Sequence, residues 1–530
     1  MSISKENLQE IYKLLYPQKV KLSLLFTLSI LQAVVFTILD PMAIKYLIDA
    51  ITDGNTRYFV ILSLAVTGVV TAGRLIGYFT SLLRKQVKNN LQQQMSIELT
   101  SIYYLQDCKE IDSNGKGYYI SRIHDEPKHL ATVVDTAVSM LTGVVVAISG
   151  IGVAVWISWK VTLGLVIILP ILYLLASQFS GKIGVVTEKL HESEAEFKSI
   201  LSTVIDSFKL VKLNSLDGTA TREVKHGLEQ PLDAGYQSVK YSSMYRSISS
   251  VFLSYAELSV MVVAGFQVIT GIITIGSLFA LTRAFSMIIN AVQQLSSILP
   301  QLASLNTLVT RYRIFKYEAA ISPKKRLPHA GLKMTDVAYE HQGKSIFDNV
   351  SINIEASNRT IIRGPNGSGK STFINLLAGF YHPNSGKISG QNLEDISASL
   401  YPFGLLPGCI GKNLSILAEK YQSQDKVDQL VNELKLQDCL ESQYDSLSEG
   451  QKKKCQIAIC LLKPAKTYLF DEPLANIDDA SKASIIQLID TFTKGASLMM
   501  IMHEGERFAD IFDTSITISG NGLIISSSLK

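Results

Sequence analysis

The sequence predicts a multidomain membrane protein. An all-α transmembrane domain of about six helices with long cytoplasmic extensions comes first, and an α/β domain built around a phosphate loop follows. Three observations predict this. Apolar residues make up 47% of the chain but crowd into residues 20–305. Two polar stretches of helical period, 84–129 and 183–245, interrupt that region. Beyond residue 331, short strands alternate with helical stretches, and the run Gly364-Pro365-Asn366-Gly367-Ser368-Gly369-Lys370-Ser371-Thr372 stands between a strand and a helix. The expected boundaries are 1–320 for the membrane domain, 321–330 for a linker and 331–530 for the soluble domain.

About 20 apolar residues cross a bilayer. Six segments qualify, near 20–48, 57–83, 130–156, 160–182, 246–270 and 276–304. The first pair is joined at Asp53-Gly54-Asn55. The second pair meets at Trp156-Ile157-Ser158-Trp159-Lys160, whose tryptophans suit the membrane interface, and the third is separated by Gly271 to Gly276. The run from Leu22 to Leu39 is too long for a signal peptide and has no small-residue cleavage site, so it reads as the first membrane helix. Lysines 5, 13, 19 and 21 precede it, and further Lys and Arg crowd both long connections, whereas the short loops offer only Arg57 and Lys160. The positive-inside rule therefore places both termini and both long connections in the cytoplasm. Each long connection is expected to reverse at a short turn, Asp112 to Gly117 in the first and Asn214 to Gly218 in the second.

Asp40, Arg74, Glu257 and Arg283 fall at membrane depth, where a charge is costly and faces a partner or a watery cavity. Arg74, Glu257 and Arg283 are the candidate cargo-cavity residues, weighed against simple intramembrane ion pairing. Lys45 and Asp49 read as a solvated pair one turn apart. Arg311, Arg313, Lys316, Lys324, Lys325 and Arg326 read as a linker under an anionic leaflet. The net charge of +4 gives no bulk argument for nucleic-acid binding. The five cysteines contain no CxxC pair and read as free thiols, without a zinc site.

In the soluble half, 351–354, 360–362, 467–470 and 497–502 read as strands. A glycine loop opening a helix curls backbone N–H groups round phosphate oxygens, and the helix N-terminus adds partial positive charge. Lys370 suits the β- and γ-phosphates, and the Ser371 hydroxyl suits Mg²⁺. The strand Thr467-Tyr468-Leu469-Phe470 ends in Asp471, suited to the same metal, and Glu472, suited to general-base work on water. His503 follows another strand, a place suited to a γ-phosphate contact, weighed against the commoner case of an incidental histidine at a strand end. Leu447-Ser448-Glu449-Gly450-Gln451 opens a helix and forms a second anion site.

These motifs together resemble the ATP-binding cassette (ABC) transporters of the exporter type over nearly the whole chain. Gly364 to Ser371 is similar to Walker A and Leu447 to Gln451 to the signature loop. Phe470 to Glu472 is similar to Walker B, Asp478 falls in the D-loop, and His503 matches the switch histidine. The resemblance implies an integral protein of a bacterial cell (inner) membrane that uses ATP and Mg²⁺. It also implies pairing with a second copy, as a homodimer, or with a related half-transporter. Each composite site would join Walker A of one chain to Ser448, Gly450, Gln451 and Asp478 of the other. The implied cargo is a small amphiphile or peptide moved by alternating access, with a slow or regulatory subunit as the alternative. A membrane-tethered kinase is opposed by Ser448 to Gln451. Four departures stand out. Tyr401 occupies the position of the family's Q-loop glutamine. His341 takes the place of the adenine-stacking tyrosine, with Tyr339 nearby. The 78 positions from Lys370 to Ser448 are fewer than exporters carry, and the chain ends soon after Gly522. With about 20 residues before the first helix, no leader-peptidase domain is expected.

Overall fold

The computed structural model describes residues 4–106, 108–318, 331–341, 343–390, 394–502, 508, 510–519 and 524–529. Inside helices the side chains of some residues, 164–178 among them, lie outside that description. The chain divides into two compact units, one of Met1–Tyr104 with Gly117–Glu318, the other of Leu105–Lys116 with Ala319–Lys530.

The first unit is helical. Helix α1 (Lys5–Leu15) is capped by Ser4, whose hydroxyl accepts from the Asn7 amide. Helices α2 (Lys19–Thr52) and α3 (Thr56–Tyr103) meet at Gly54, whose φ of +67° a side chain would resist. Asn55 then caps α3 by accepting from the Tyr58 amide at 3.1 Å. Helix α4 (Cys108–Ile120), whose residues up to Lys116 belong to the second unit, leads through a π-helical stretch, Ser121–Asp125, into α5 (Glu126–Leu130). The reversal expected at 112–117 is thus corrected, because those residues continue α4 and the break falls between Tyr103 and Cys108. Helix α6 (Val133–Asp206) is broken at Ser158, whose φ/ψ of −157°/101° is extended, so the third and fourth expected segments lie on either side of it. Helix α7 (Phe208–Leu213) is followed by a left-handed Ser215 (φ +54°), and then by α8 (Asp217–Ile269), which places the second reversal where the sequence put it. Helix α9 (Ile275–Glu318) completes the unit. Five helical stretches among the described residues are long and apolar enough to span a bilayer: Lys5–Thr52, Thr56–Tyr103, Gly117–Leu163, Asp217–Ile269 and Ile275–Leu295. The fourth expected segment, 160–182, falls largely on side chains outside the described residues.

Two readings of this half change. Asp49 is not a solvated partner of Lys45. Its carboxylate accepts from the Gly276 amide at 3.1 Å and the Thr274 hydroxyl at 3.0 Å, holding the start of α9, while Lys45 lies over the Trp156 ring. A Cβ on Gly276 would sit 2.2 Å from the Lys45 carbonyl, so only glycine permits this approach. The basic run at 311–316 is not a free linker either. It ends α9, where Arg311 pairs with Glu126, Arg313 with Glu6, and Lys316 with both Glu10 and Glu98. Tyr312 donates to Glu98 at 2.6 Å, and buried Asn7 donates to Thr310 at 2.8 Å. Burying Asn7 and Glu10 is tolerable because each polar atom has a partner. Lys324, Lys325 and Arg326 lie outside the described residues.

The second unit holds two sheets. Strands β1 (Leu332–His341), β2 (Lys344–Ile354) and β4 (Ser385–Ser389) form an antiparallel sheet in the order β2-β1-β4. Strands β3 (Arg359–Arg363), β5 (Ile396–Ser399), β6 (Thr467–Asp471), β7 (Ser497–Ile501), β8 (Thr514–Ile518) and β9 (Ile524–Ser528) form the other, in the order β5-β6-β7-β3-β8-β9. It is parallel from β5 to β8, with β9 antiparallel at the edge. Strands β6 and β7 are buried at every residue, as central parallel strands require. Helix α10 (Lys370–Ala378) packs Phe373, Ile374 and Leu377 into one core. Helices α11 (Ile410–Tyr421), α12 (Gln424–Glu433), α13 (Glu449–Leu462) and α14 (Asp479–Phe492) supply the other. None of the five cysteines is in a disulfide; Cys439, Cys455 and Cys460 are buried, Cys108 and Cys409 partly exposed. Burial pushes the Cys455 and Cys460 thiols up to about 12.

Candidate functional site

The phosphate loop bridges β3 and α10 at the carboxyl end of the parallel sheet, where open α/β folds place ligands. Three glycines make it possible: Gly364, Gly367 and Gly369 have φ of +150°, +78° and +97°. A Cβ on Gly364 would lie 2.2 Å from the Ile518 carbonyl, so this residue is fixed by close approach as well as by its angles. Lys370 is buried and donates to the Gly364 and Pro365 carbonyls, both at 2.9 Å. Its ammonium therefore lies within the loop it is expected to serve. Ser368 is buried, and its hydroxyl finds no partner among the described residues. A buried hydroxyl left without a partner in a glycine loop at a helix N-terminus fits an anionic oxygen. Pro365, Asn366 and Thr372 complete the loop and the first turn.

Strand β6 carries Asp471 to the same end. Its carboxylate accepts from the Ser371 hydroxyl. Burial raises its affinity for a proton, while that hydrogen bond and the nearby Lys453 and Lys370 charges oppose the rise. A buried carboxylate paired with a hydroxyl beside a phosphate loop is a donor set that fits a divalent cation. Glu472 follows with φ of +48°, a left-handed conformation that costs a non-glycine residue roughly 1–2 kcal/mol. Its amide donates to the Ile501 carbonyl at 3.2 Å. His503 lies outside the described residues.

Helix α13 opens with a capping box. The Ser448 hydroxyl accepts from the Gln451 amide, and the Gln451 side chain accepts from the Ser448 amide at 3.0 Å. Gly450 lies against the turn after β6, where an added Cβ would meet the Asn476 carbonyl at 2.7 Å. Asp478 caps α14, accepting from the Ser481 amide at 3.0 Å. The structure therefore gives Ser448, Gln451 and Asp478 local duties in addition to any they have toward nucleotide.

His341 lies in a cluster of three rings. Its centroid is 6.5 Å from Tyr339 and 6.3 Å from Tyr381, and the two tyrosines stack at 5.5 Å. Its Nδ1 is buried and finds no partner among the described residues. Tyr381 follows α10 and was not legible as part of this cluster, because nothing local in the sequence ties it to β1. Tyr401 is 81% exposed, so the residue at the Q-loop position projects from the surface. Lys453 was also missed. It belongs to α13, and its ammonium donates to the Asp471 backbone carbonyl at 3.0 Å.

The three cargo-cavity candidates are not brought together. Glu257 lines a cavity of about 340 Å³ between α8 and α9, with Leu258, Met261, Leu278, Phe279 and Thr282. It accepts from the Ser286 hydroxyl at 2.8 Å. Arg283 is held at 2.6 Å by Asp40 of α2, and Arg74 is exposed on α3.

Residues 22–292 match the family described as the ABC transporter transmembrane region, and residues 347–475 match the family described as ABC transporter. The chain belongs to the ABC transporter family. In this ABC transporter both parts are fused in one chain, a half-transporter that couples ATP hydrolysis to transport across a membrane. A multidrug resistance ABC transporter ATP-binding and permease protein from Lactococcus lactis subsp. lactis is 21% identical, covering 96% of this transporter and 91% of that protein. An ATP-dependent lipid A-core flippase from Xylella fastidiosa is 22% identical over 86% and 82% of the two chains. A lactococcin-A transport/processing ATP-binding protein from Lactococcus lactis is 21% identical over 79% and 64%. The fold matches a bacterial Atm1-family ABC exporter with ATP bound, at a TM-score of 0.79 and 16% identity over 97% of this transporter and 95% of that chain.

Proposed function

We propose that this transporter is an exporter or flippase that moves an amphiphilic or peptide-like cargo out of the cytoplasm or the inner leaflet. The observation that carries the reading is the convergence of Lys370, Ser371, Asp471 and Glu472 at one end of the parallel sheet, in a chain that also carries a membrane domain. The relatives' names, multidrug resistance, lipid flippase and lactococcin transport, agree on export and differ on cargo.

In this reading two chains sandwich ATP. The glycine loop and Lys370 hold the phosphates of one chain's nucleotide, and Ser448 and Gly450 of the other close over it. Ser371 and Asp471 hold Mg²⁺, which when bound offsets phosphate charge. Glu472 orients and deprotonates the attacking water. His341, backed by the buried Tyr339 and flanked by Tyr381, offers a ring to the base. Positive-inside counting keeps the termini and the cassette cytoplasmic. Glu257, a carboxylate at membrane depth beside apolar side chains, is the residue proposed to meet cargo.

A second reading, a regulatory subunit of a heterodimer, is favoured by Tyr401, which has no amide to give a metal or water and points outward. ATPase activity of the chain alone in lipid nanodiscs, beside Glu472→Gln, separates the two. Hydrolysis that the substitution lowers by ~100-fold or more supports a self-sufficient homodimer. ATP binding without hydrolysis in the unsubstituted chain favours the subunit.

A further inference from the structure

Three consecutive lysines, 452 to 454, open α13, and they are not equivalent. Lys452 pairs with Glu449 at 2.8 Å on the surface of the helix. Lys453 reaches across to β6, where its ammonium donates to the Asp471 carbonyl at 3.0 Å. That oxygen belongs to the peptide joining Asp471 to Glu472. The N–H of the same peptide donates to the Ile501 carbonyl at 3.2 Å. The peptide is therefore gripped from both ends, by β7 on one side and by α13 on the other. A peptide plane held at both ends fixes the direction in which the next side chain leaves the backbone. Here that side chain is Glu472, at a φ of +48° that few L residues adopt unaided. Helix α13 meets this turn a second time, where Gly450 lies against the Asn476 carbonyl.

We propose that Lys453 is a positioning residue: it ties the signature helix to the Asp471–Glu472 peptide and so aims the Glu472 carboxylate. The helix that closes on the partner's nucleotide then also orients this chain's own base. The proposal rests on the reading of Glu472 as general base.

Its test uses the full chain in nanodiscs, with Lys453→Met, Lys453→Arg and Lys452→Gln. Lys453→Met keeps the stem and loses the donor. It is expected to lower kcat about tenfold while nucleotide affinity changes less than about twofold. Amide hydrogen exchange should quicken over 472–477 and stay unchanged over the phosphate loop. Lys453→Arg should restore both readouts, and Lys452→Gln should match the unsubstituted chain. Wild-type turnover and exchange in Lys453→Met would overturn the proposal. So would a loss of protection across the whole cassette, which would mark a structural role. Should Glu472→Gln hydrolyse normally, the base assignment fails. Faster exchange confined to 472–477 in Lys453→Met would still support the tie, and unchanged exchange would overturn it.

Discussion

Gly450 shows how little room the site allows. Its hydrogen occupies the place where any other residue would put a carbon 2.7 Å from a backbone oxygen, and backbone on both sides leaves no flexible side chain to yield. Gly450→Ala should therefore push α13 away from the turn after β6. Turnover is expected to fall about tenfold or more while binding at the distant glycine loop holds, which steady-state kinetics beside a nucleotide-binding isotherm would check. An unchanged kcat would mean that the turn moves freely. Glu472 carries the opposite kind of constraint, since a non-glycine residue is kept at a positive φ by hydrogen bonds on either side. Strain held by its surroundings is common where a reacting group must be aimed.

Among the helices, the ion pair between Asp40 of α2 and Arg283 of α9 links two elements at membrane depth. Removing one partner strands the other. Asp40→Asn leaves an arginine that costs roughly 2.5–3.5 kcal/mol near a helix centre on insertion scales. Folded yield in detergent should drop for Asp40→Asn and for Arg283→Gln separately and recover in the double variant, giving a favourable coupling in a double-mutant cycle. Additive losses would show that each residue acts alone. Periodic elements such as this pair's helices were legible because a 20-residue apolar run and a positive-inside bias are properties of composition. The strands around the glycine loop were legible because short apolar, β-branched runs stop at glycine or acidic turn residues. Helix α1 was not read, because its face divides between polar groups buried on α9 and exposed Leu8 and Tyr12, a pattern that makes sense only with the partner helix present. The turn expected at 112–117 failed likewise: Asn-Gly favours reversal locally, but here the sequence continues a helix. Within the site, the residues of local motifs such as Lys370 and Asp471 were legible from their spacing alone. Tyr381 and Lys453 were not, because their partners lie 42 and 18 positions away and no pattern marks such contacts in advance.

At the scale of the whole molecule, one chain carries both a transmembrane region and a cassette. The thiols divide the same molecule by reactivity. The buried Cys455 and Cys460, held up at about 12, present almost no thiolate at neutral pH, and burial raises Cys439 as well. A maleimide is therefore expected to modify two cysteines of the native chain, Cys108 and Cys409, and all five after denaturation, as intact-mass spectrometry would count. Modification of more than two under native conditions would mean that the cassette core opens readily. Cys108 begins α4, and Cys409 precedes α11. Replacing either one leaves a single addressable sulfur for a fluorophore or spin label, one at the start of α4 and the other just before α11, without disturbing the three buried cysteines. The natural sequence thus comes close to a ready-made labelling pair for following transport one molecule at a time.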